Sequence, residues 1–345
     1  MSILDKEILL YKTPEYSPMR ADFFITLVCP HERCGMCGLP KSVEKFEPMY
    51  VSEEFGIYVI EKLSSVNPPI KTIVFTGGEP TIHKNLPLFI REVTNRKLEG
   101  YMNTDCSWGR ILKRAKKYAE TLVDAGLRHC ALSVDTFHQE RVPLKNVINA
   151  GKVLIEAGIE TILLGSASTL STKKKDDELL DKVGDKLFGY ACQVEEGVEI
   201  ILDSGYAARV DGSWAANLPQ DEFSQIPGAS PTCTEYEDQR IIILPDGTIK
   251  YCGSYVSIDN PSYTLGSIKH MTFKEALKIG NEESRFKLLR QPLSTLKKVL
   301  SDYKLHIKNK RACLIHSEIL SDKEIADRAD EILEKCQQIE ITCKK

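Results

Sequence analysis

The stretch Phe23-Phe24-Ile25-Thr26-Leu27-Val28-Cys29-Pro30-His31-Glu32-Arg33-Cys34-Gly35-Met36-Cys37 decides how this chain is read. Its apolar and β-branched opening predicts a strand, which delivers the chain straight into three cysteines on one short loop. Three thiolates so placed can each hold one iron of a cubane iron-sulfur cluster, whereas electron carriers usually supply four and leave no iron open. An iron without a protein ligand invites a ligand that is not protein. Further along, Ile73-Val74-Phe75 predicts a second strand that runs into Thr76-Gly77-Gly78-Glu79-Pro80.

Two rival readings of the cysteines stand beside this one. The spacing C-x4-C-x2-C is that of plant-type ferredoxins. Such a carrier needs a fourth cysteine a modest distance downstream, and the next here is Cys106, beyond two predicted helices and two strands. A structural zinc site would use the three thiolates plus His31, and it leaves the Gly-Gly-Glu-Pro turn unexplained.

At 345 residues the chain is longer than one hydrophobic core usually grows, so a main domain with a smaller appendage is expected. The net charge of -3, with no long block of either sign, argues against nucleic acid or an anionic membrane as the main partner. No apolar stretch approaches the roughly 18 residues of a membrane span. The opening Met1-Ser2-Ile3-Leu4-Asp5-Lys6-Glu7 does not read as a signal peptide, so a soluble, cytoplasmic protein is expected. Eleven cysteines in such a chain read as metal ligands or buried thiols rather than disulfides.

Strands and helices alternate in the pattern. Ser52 is placed to cap a helix carrying Phe55, Val59 and Leu63. A second helix carries Leu86, Ile90 and Val93. The third strand is read at Tyr101 to Asp105, followed by a helix with Ala115, Ala119 and Leu122 that closes at Gly126. The fourth strand is read at Cys130 to Asp135, and its helix, with Val147, Gly151, Leu154 and Ala157, closes at Gly158. Ile162 to Leu164 and Val198 to Leu202 supply strands five and six. This alternation means a parallel sheet of right-handed βαβ units, and periodicity alone does not separate a barrel from a doubly wound sheet. In either, ligands bind at the C-terminal ends of the strands, where both motifs fall.

The cysteine triplet and the Gly-Gly-Glu-Pro turn together resemble the radical S-adenosylmethionine (SAM) superfamily, over about residues 20 to 205. One departure is the first spacing, since that family usually has C-x3-C-x2-C. The resemblance implies an α/β fold, a partial (β/α)6 TIM-like barrel with a small C-terminal α+β extension. The corresponding segments are an N-terminal extension at 1–20, the core at 21–205, a Gly/Ser/Pro/Ala-rich linker or lid at 206–232, and the extension at 233–345. It also implies a [4Fe-4S] cluster on Cys29, Cys34 and Cys37, with SAM on the open iron and a low-potential donor such as flavodoxin or ferredoxin. Met36 would pack on the adenine. Gly77, Gly78, Glu79 and Pro80 would hold the SAM amino group, the glycines letting backbone approach the ligand. Ser133 and Asp135 resemble the family's ribose and carboxylate contacts, and Thr104 and Asp105 stand where relatives often carry Thr-Asn. His138 is read as a substrate contact or proton relay, or as a solvated loop residue. Cys106, at the barrel mouth, would be a hydrogen-atom donor, against the reading of a small buried hydrophobe.

In the last third, Arg240 to Leu244, Pro245-Asp246-Gly247 and Thr248 to Cys252 spell a β-hairpin. Its C-x13-G-x4-C pattern, Cys233 to Cys252, resembles the opening of the SPASM and twitch extensions, which implies an auxiliary [4Fe-4S] cluster. Cys313 would be its third ligand and His316 a fourth, although the rest of the SPASM cysteine pattern is missing. Cys130, Cys192 and Cys336 read as core. Thr272 with Glu275, and Ser321 with Glu324, read as capping boxes. The resemblance implies reductive cleavage of SAM to a 5'-deoxyadenosyl radical, with a ribosomally made peptide as the first substrate class. The alternatives are a small-molecule substrate or, in another class, an iron-sulfur electron-transfer or sensor protein.

Overall fold

Six strands pair side by side, all parallel: β1 (Arg20–Thr26), β2 (Thr72–Gly77), β3 (Glu99–Thr104), β4 (His129–Ser133), β5 (Thr161–Ser168) and β6 (Gln193–Ile200). The computed structural model describes residues 15–30, 34, 37, 39, 47–66, 70–168, 172–187, 193–200, 239–253, 256–291, 293–303 and 312–343. Helices α1 (Glu53–Ser64), α2 (Leu86–Asn95), α3 (Leu112–Asp124), the short α4 (Thr136–Gln139), α5 (Leu144–Ala157) and α6 (Lys173–Leu187) join successive strands. Their caps follow the sequence: the Ser52 hydroxyl accepts from Phe55 N, and Gly126 and Gly158 close α3 and α5 at positive φ.

Strand order follows chain order, β6-β5-β4-β3-β2-β1, and continues past β1 into β7 (Arg240–Ile243), β8 (Thr248–Lys250) and β9 (Thr264–Ser267). A doubly wound sheet reverses its strand order partway. Among β1 to β6 the order does not reverse, and the reversal at β1 is made by β7, β8 and β9, which pair antiparallel among themselves, so the six strands are wound in one direction as a barrel wall. It stays open because the far edge of β1 pairs with β7, in parallel, rather than with β6.

Alternation along each strand sorts its side chains. Phe23, Phe75, Met102, Cys130, Leu132, Ile162 and Leu164 are fully buried beneath the helices in one large core. Burying such side chains stabilises the fold by about 1.5–3 kcal/mol each. The opposite face of β3 to β5 carries Tyr101, Asn103, Ala131, Ser133, Leu163, Gly165 and Ala167, all half-buried. A closed barrel of this size fills its interior with bulky aliphatics. Here, apart from Tyr101 and Leu163, the inner face carries small or polar residues.

Two expectations need correction. The sixth strand begins at Gln193, five residues before the apolar run that marked it, because residue 193 onward pairs with β5 from Thr161 through its backbone. In place of the last capping box, Asp322 rather than Ser321 caps the next helix in one direction: Ser321 ends helix Ala312–Ser321, and the Asp322 carboxylate accepts from Ile325 N at 3.1 Å. The box at Thr272 and Glu275 forms in both directions.

The hairpin of β7 and β8 forms as read, and its Ile241, Ile243 and Ile249 lie in the same core as β1 to β5. The extension thus begins inside the main sheet. Helices Leu293–Leu300, Ala312–Ser321 and Ala329–Cys343 build a separate small core around Leu296, Ile319, Ile332 and Cys336. The linker 206–232 lies outside the described residues. Among the described residues, no helix is long and apolar enough to cross a membrane.

Candidate active site

At the C-terminal end of β2 the chain turns sharply at Gly77, whose φ of +127° favours glycine. A Cβ on Gly77 would lie 1.9 Å from Thr26 O, and one on Gly78 would lie 2.1 Å from Val28 O. Gly78 N donates to Thr26 O at 2.8 Å and Glu79 N to Val28 O at 2.9 Å. The glycines are therefore required by the close approach of the segment leading into Cys29. This requirement stands apart from the expectation that they let backbone approach a ligand.

Glu79 is 2 % exposed, and its carboxylate is the hub of the turn. Oε1 accepts from Thr81 N at 3.0 Å, the Thr81 hydroxyl at 2.5 Å and the Thr104 hydroxyl at 2.8 Å; Oε2 accepts from Asp105 N at 2.7 Å. Thr104 Oγ1 in turn accepts from Cys106 N and Trp108 Nε1, both at 3.1 Å, which commits its own proton to Glu79. Burial, and after it the nearby Asp105 carboxylate, push the Glu79 carboxyl up to about 8 against these hydrogen bonds. Glu79 ties the end of β2 to the end of β3. With four internal donors its carboxylate acts as a clamp, which leaves the turn carbonyls as the other acceptors the sequence offered for an ammonium group.

The cysteine loop leaves β1 beside this turn. Leu27 N donates to Met49 O at 3.0 Å, and Cys37 N to Cys34 O at 3.0 Å, which puts two of the thiols on one tight turn. Beneath it lies a small apolar floor of Phe24, Leu27, Leu39, Ile242 and Leu244, against which Cys37 packs. Cys29 and Cys37 are half-buried and Cys34 is buried, and none forms a disulfide. Burial pushes the Cys34 thiol up to about 12, helped by Cys37, Asp135 and Asp105 and opposed by Arg141. Met36 and His31 lie outside the described residues.

Among the described residues, no three His, Cys, Asp or Glu side chains converge as a single bound metal ion requires. A cubane makes no such demand, because each thiolate binds a different iron. The donor set of three thiols on one loop, two of them sharing a turn, fits such a cluster.

At the end of β4, Asp135 is 1 % exposed and caps α4 by accepting from His138 N at 2.8 Å. Its other oxygen meets His138 Nδ1 at 2.6 Å and accepts from Ala167 N at 3.3 Å. Asp135 thus organises the chain and orients His138. Ser133 is half-buried on the inner face, where register puts Asn103 opposite Ala131 on the neighbouring strand. Asn103 was missed by sequence reasoning, which took Thr104 and Asp105. The signal was present, since Tyr101 and Asn103 share one parity of β3 and Met102 and Thr104 the other.

Cys106 is wholly buried in the main core, with φ of +67° and its sulfur 3.7 Å from Thr104 O. Burial also raises its thiol pKa. A hydrogen-atom donor must face its substrate, and this thiol faces the core. Cys130 is likewise buried there, and Cys336 lies in the small helical core. Cys192 and Cys233 are outside the described residues, as is the side chain of Cys313. Cys252 is half-buried after β8, and its carbonyl accepts from the Ser257 hydroxyl at 2.8 Å. His316 is 2 % exposed, its Nε2 has no hydrogen-bond partner, and burial lowers its pKa to about 4.

Residues 23–180 match the Radical SAM superfamily. The GTP 3',8-cyclase of Campylobacter curvus (strain 525.92) is 27% identical over 157 residues, 43% of this chain and 46% of that protein. The probable GTP 3',8-cyclase of Methanococcus aeolicus is 37% identical over 92 residues, 26% of this chain and 29% of that one. The chain spans less than half the length of these curated relatives. Among solved structures, anSMEcpe with bound AdoMet is similar in fold, with a TM-score of 0.58 at 14% identity over 93% of this chain and 98% of that one.

Proposed function

From the radical SAM domain that residues 23–180 form, we propose that this chain cleaves SAM reductively and acts on a small molecule. When bound, a reduced [4Fe-4S] cluster supplies one electron to the SAM sulfonium, releasing methionine and a 5'-deoxyadenosyl radical that takes a hydrogen atom from the substrate. The observation that carries the proposal is the joining of the two motifs: the Gly77–Glu79 turn is hydrogen-bonded to the strand exit that feeds Cys29.

In this reading Cys29, Cys34 and Cys37 hold the cluster. The Gly78 and Glu79 N–H groups are spent on β1, so the turn presents carbonyl oxygens to the SAM ammonium group. Ser133 and Asn103 offer hydrogen bonds from the half-buried inner face, where a radical would be kept from bulk water. Asp105 and Asp135 act on Cys34 and set the charge around the loop.

The small-molecule class is supported by the relatives, which are GTP 3',8-cyclases. The likeness to anSMEcpe is one of fold and carries no argument for a peptide substrate. The test is anaerobic reconstitution with SAM and a strong reductant, following 5'-deoxyadenosine with GTP as the first candidate substrate. A fully loaded protein that yields none, with or without substrate, would return the chain to the electron-transfer or sensor reading. An auxiliary cluster on Cys233, Cys252 and Cys313 is a separate proposal, supported by the buried His316, whose Nε2 has no hydrogen-bond partner and which lies near Cys313 in sequence. Iron near about eight rather than about four per chain would support it.

A further inference from the structure

Between β3 and α3, and through the first two turns of α3, runs Arg110-Ile111-Leu112-Lys113-Arg114-Ala115-Lys116-Lys117. All of it but Ala115 is exposed. It holds five cations and no anion in a chain whose net charge is -3. Lys116 pairs with Glu156 at 3.4 Å, but Arg110, Lys113, Arg114 and Lys117 have no ion-pair partner among the described residues. Within the same stretch Ile111 is 47% and Leu112 54% exposed, two of the four large hydrophobics exposed among the described residues. Paired aliphatics inside a cationic rim mark a contact surface more than a solvated face.

The patch is tied to the cysteine loop. Glu79 joins Asp105 to the segment entering Cys29, accepting from Asp105 N at 2.7 Å and donating its own N–H to Val28 O at 2.9 Å, and Arg110 is separated from Asp105 by no more than about 18 Å of extended chain. The turn between them is fixed by Ser107 N to Asp105 Oδ1 at 2.6 Å and Trp108 Nε1 to Thr104 Oγ1 at 3.1 Å. Gly109 lies against α5, where the Asn149 side chain donates to its carbonyl at 3.0 Å. Exposed Lys145, in the first turn of α5, and exposed Arg141 just before it extend the positive rim. Arg141 N donates to His138 O at 2.9 Å, just past the end of β4, so the rim lies at the same strand-end face as the loop. The acidic residues flanking the patch are Glu120, one turn further along α3, and Glu140 beside Arg141.

The geometry points to this rim as the docking surface for a strongly acidic one-electron carrier protein. The inference rests on the proposed reaction, which consumes one electron per cleavage and holds no source for it. A negatively charged carrier would be steered to the rim and would seat its own apolar patch on Ile111 and Leu112. It would then stand on the strand-end face that carries the cysteine loop.

The test uses the reconstituted full chain with reduced flavodoxin, a small acidic flavoprotein, and with dithionite as a reductant that needs no docking. Reversing Arg110, Lys113 and Arg114 to Glu is expected to slow reduction by flavodoxin roughly ten- to hundred-fold at low salt and to flatten its salt dependence. Reduction by dithionite should keep its rate. A second variant, Ile111→Ser with Leu112→Ser, leaves the charges in place and should weaken the complex while sparing its salt dependence. Unchanged flavodoxin rates in both variants would overturn the inference, as would competition at the rim by duplex DNA with no binding of flavodoxin. Flavodoxin binding followed by its flavin fluorescence needs no cluster, so a failure of the proposed reaction would show separately as a protein that binds the carrier without cleaving SAM.

Discussion

The two halves of the candidate site are built on opposite plans. In the turn after β2, the Gly78 and Glu79 N–H groups are satisfied by β1, and Glu79 gathers four donors from Thr81, Thr104 and Asp105. The cysteine loop rests on an apolar floor and one short turn, and leaves its thiols outside any disulfide. One half is a scaffold that the chain completes by itself, and the other, on the proposed reading, presents its thiols to a cluster. A constellation for chemistry commonly divides this way, with a rigid support beneath reactive groups.

The largest effect should come from the presenting half. Alanine at Cys29, Cys34 or Cys37 is expected to remove cluster iron and reduce 5'-deoxyadenosine to background, with the fold intact by circular dichroism. Full cleavage from any of the three would break the division. Next is the join between the halves: Gly78→Ala forces a Cβ against Val28 O and should destabilise by about 3 kcal/mol in denaturant titration. Because Val28 precedes Cys29, iron loading should fall with it.

The scaffold half has its own signature in pH. The folded Glu79 carboxyl sits at about 8, above its ordinary value of 4.5. A raised carboxyl favours the protonated folded state, so this contribution to stability is full below about pH 4.5 and is lost as pH rises through about 8. Glu79→Gln, which cannot ionise, should flatten stability between pH 5 and pH 8 by an amount on the order of 1–3 kcal/mol. Parallel curves for the two proteins would mean that Glu79 is not the buried hub described. The smallest effects belong to cysteines in neither half: Cys106→Ala and Cys336→Ala should each cost about 1 kcal/mol and leave iron per chain unchanged. Lost iron in Cys336→Ala would bring that thiol back as a ligand.

Much of this was legible in the sequence because it is local. The apolar runs before Cys29 and Gly77, the Ser52 cap, the glycine helix ends and the hairpin at Pro245-Asp246-Gly247 each depend on a few neighbouring residues. The misses share a cause too. Asn103 and Thr104 are adjacent, and only the register of β3 against β4 says which faces inward. Gln193 to Gly197 is a strand because β5 offers it a ladder, not because its own residues favour one. Ser321 and Asp322 are both good caps, and the choice went to the one whose carboxylate reaches Ile325 N.

By itself the sequence determined the alternation of strands and helices, the three-cysteine loop and the glycine turn, since these follow from periodicity and residue type. Only the tertiary structure decided that β1 to β6 are wound one way and left open at β7, and that the glycines of the turn serve the strand exit at β1. It also decided that Glu79 is consumed in joining β2 to β3 and that Cys106 points into the core. Each of those depends on which backbone lies against which, a matter of packing between residues far apart in the chain that no local pattern encodes.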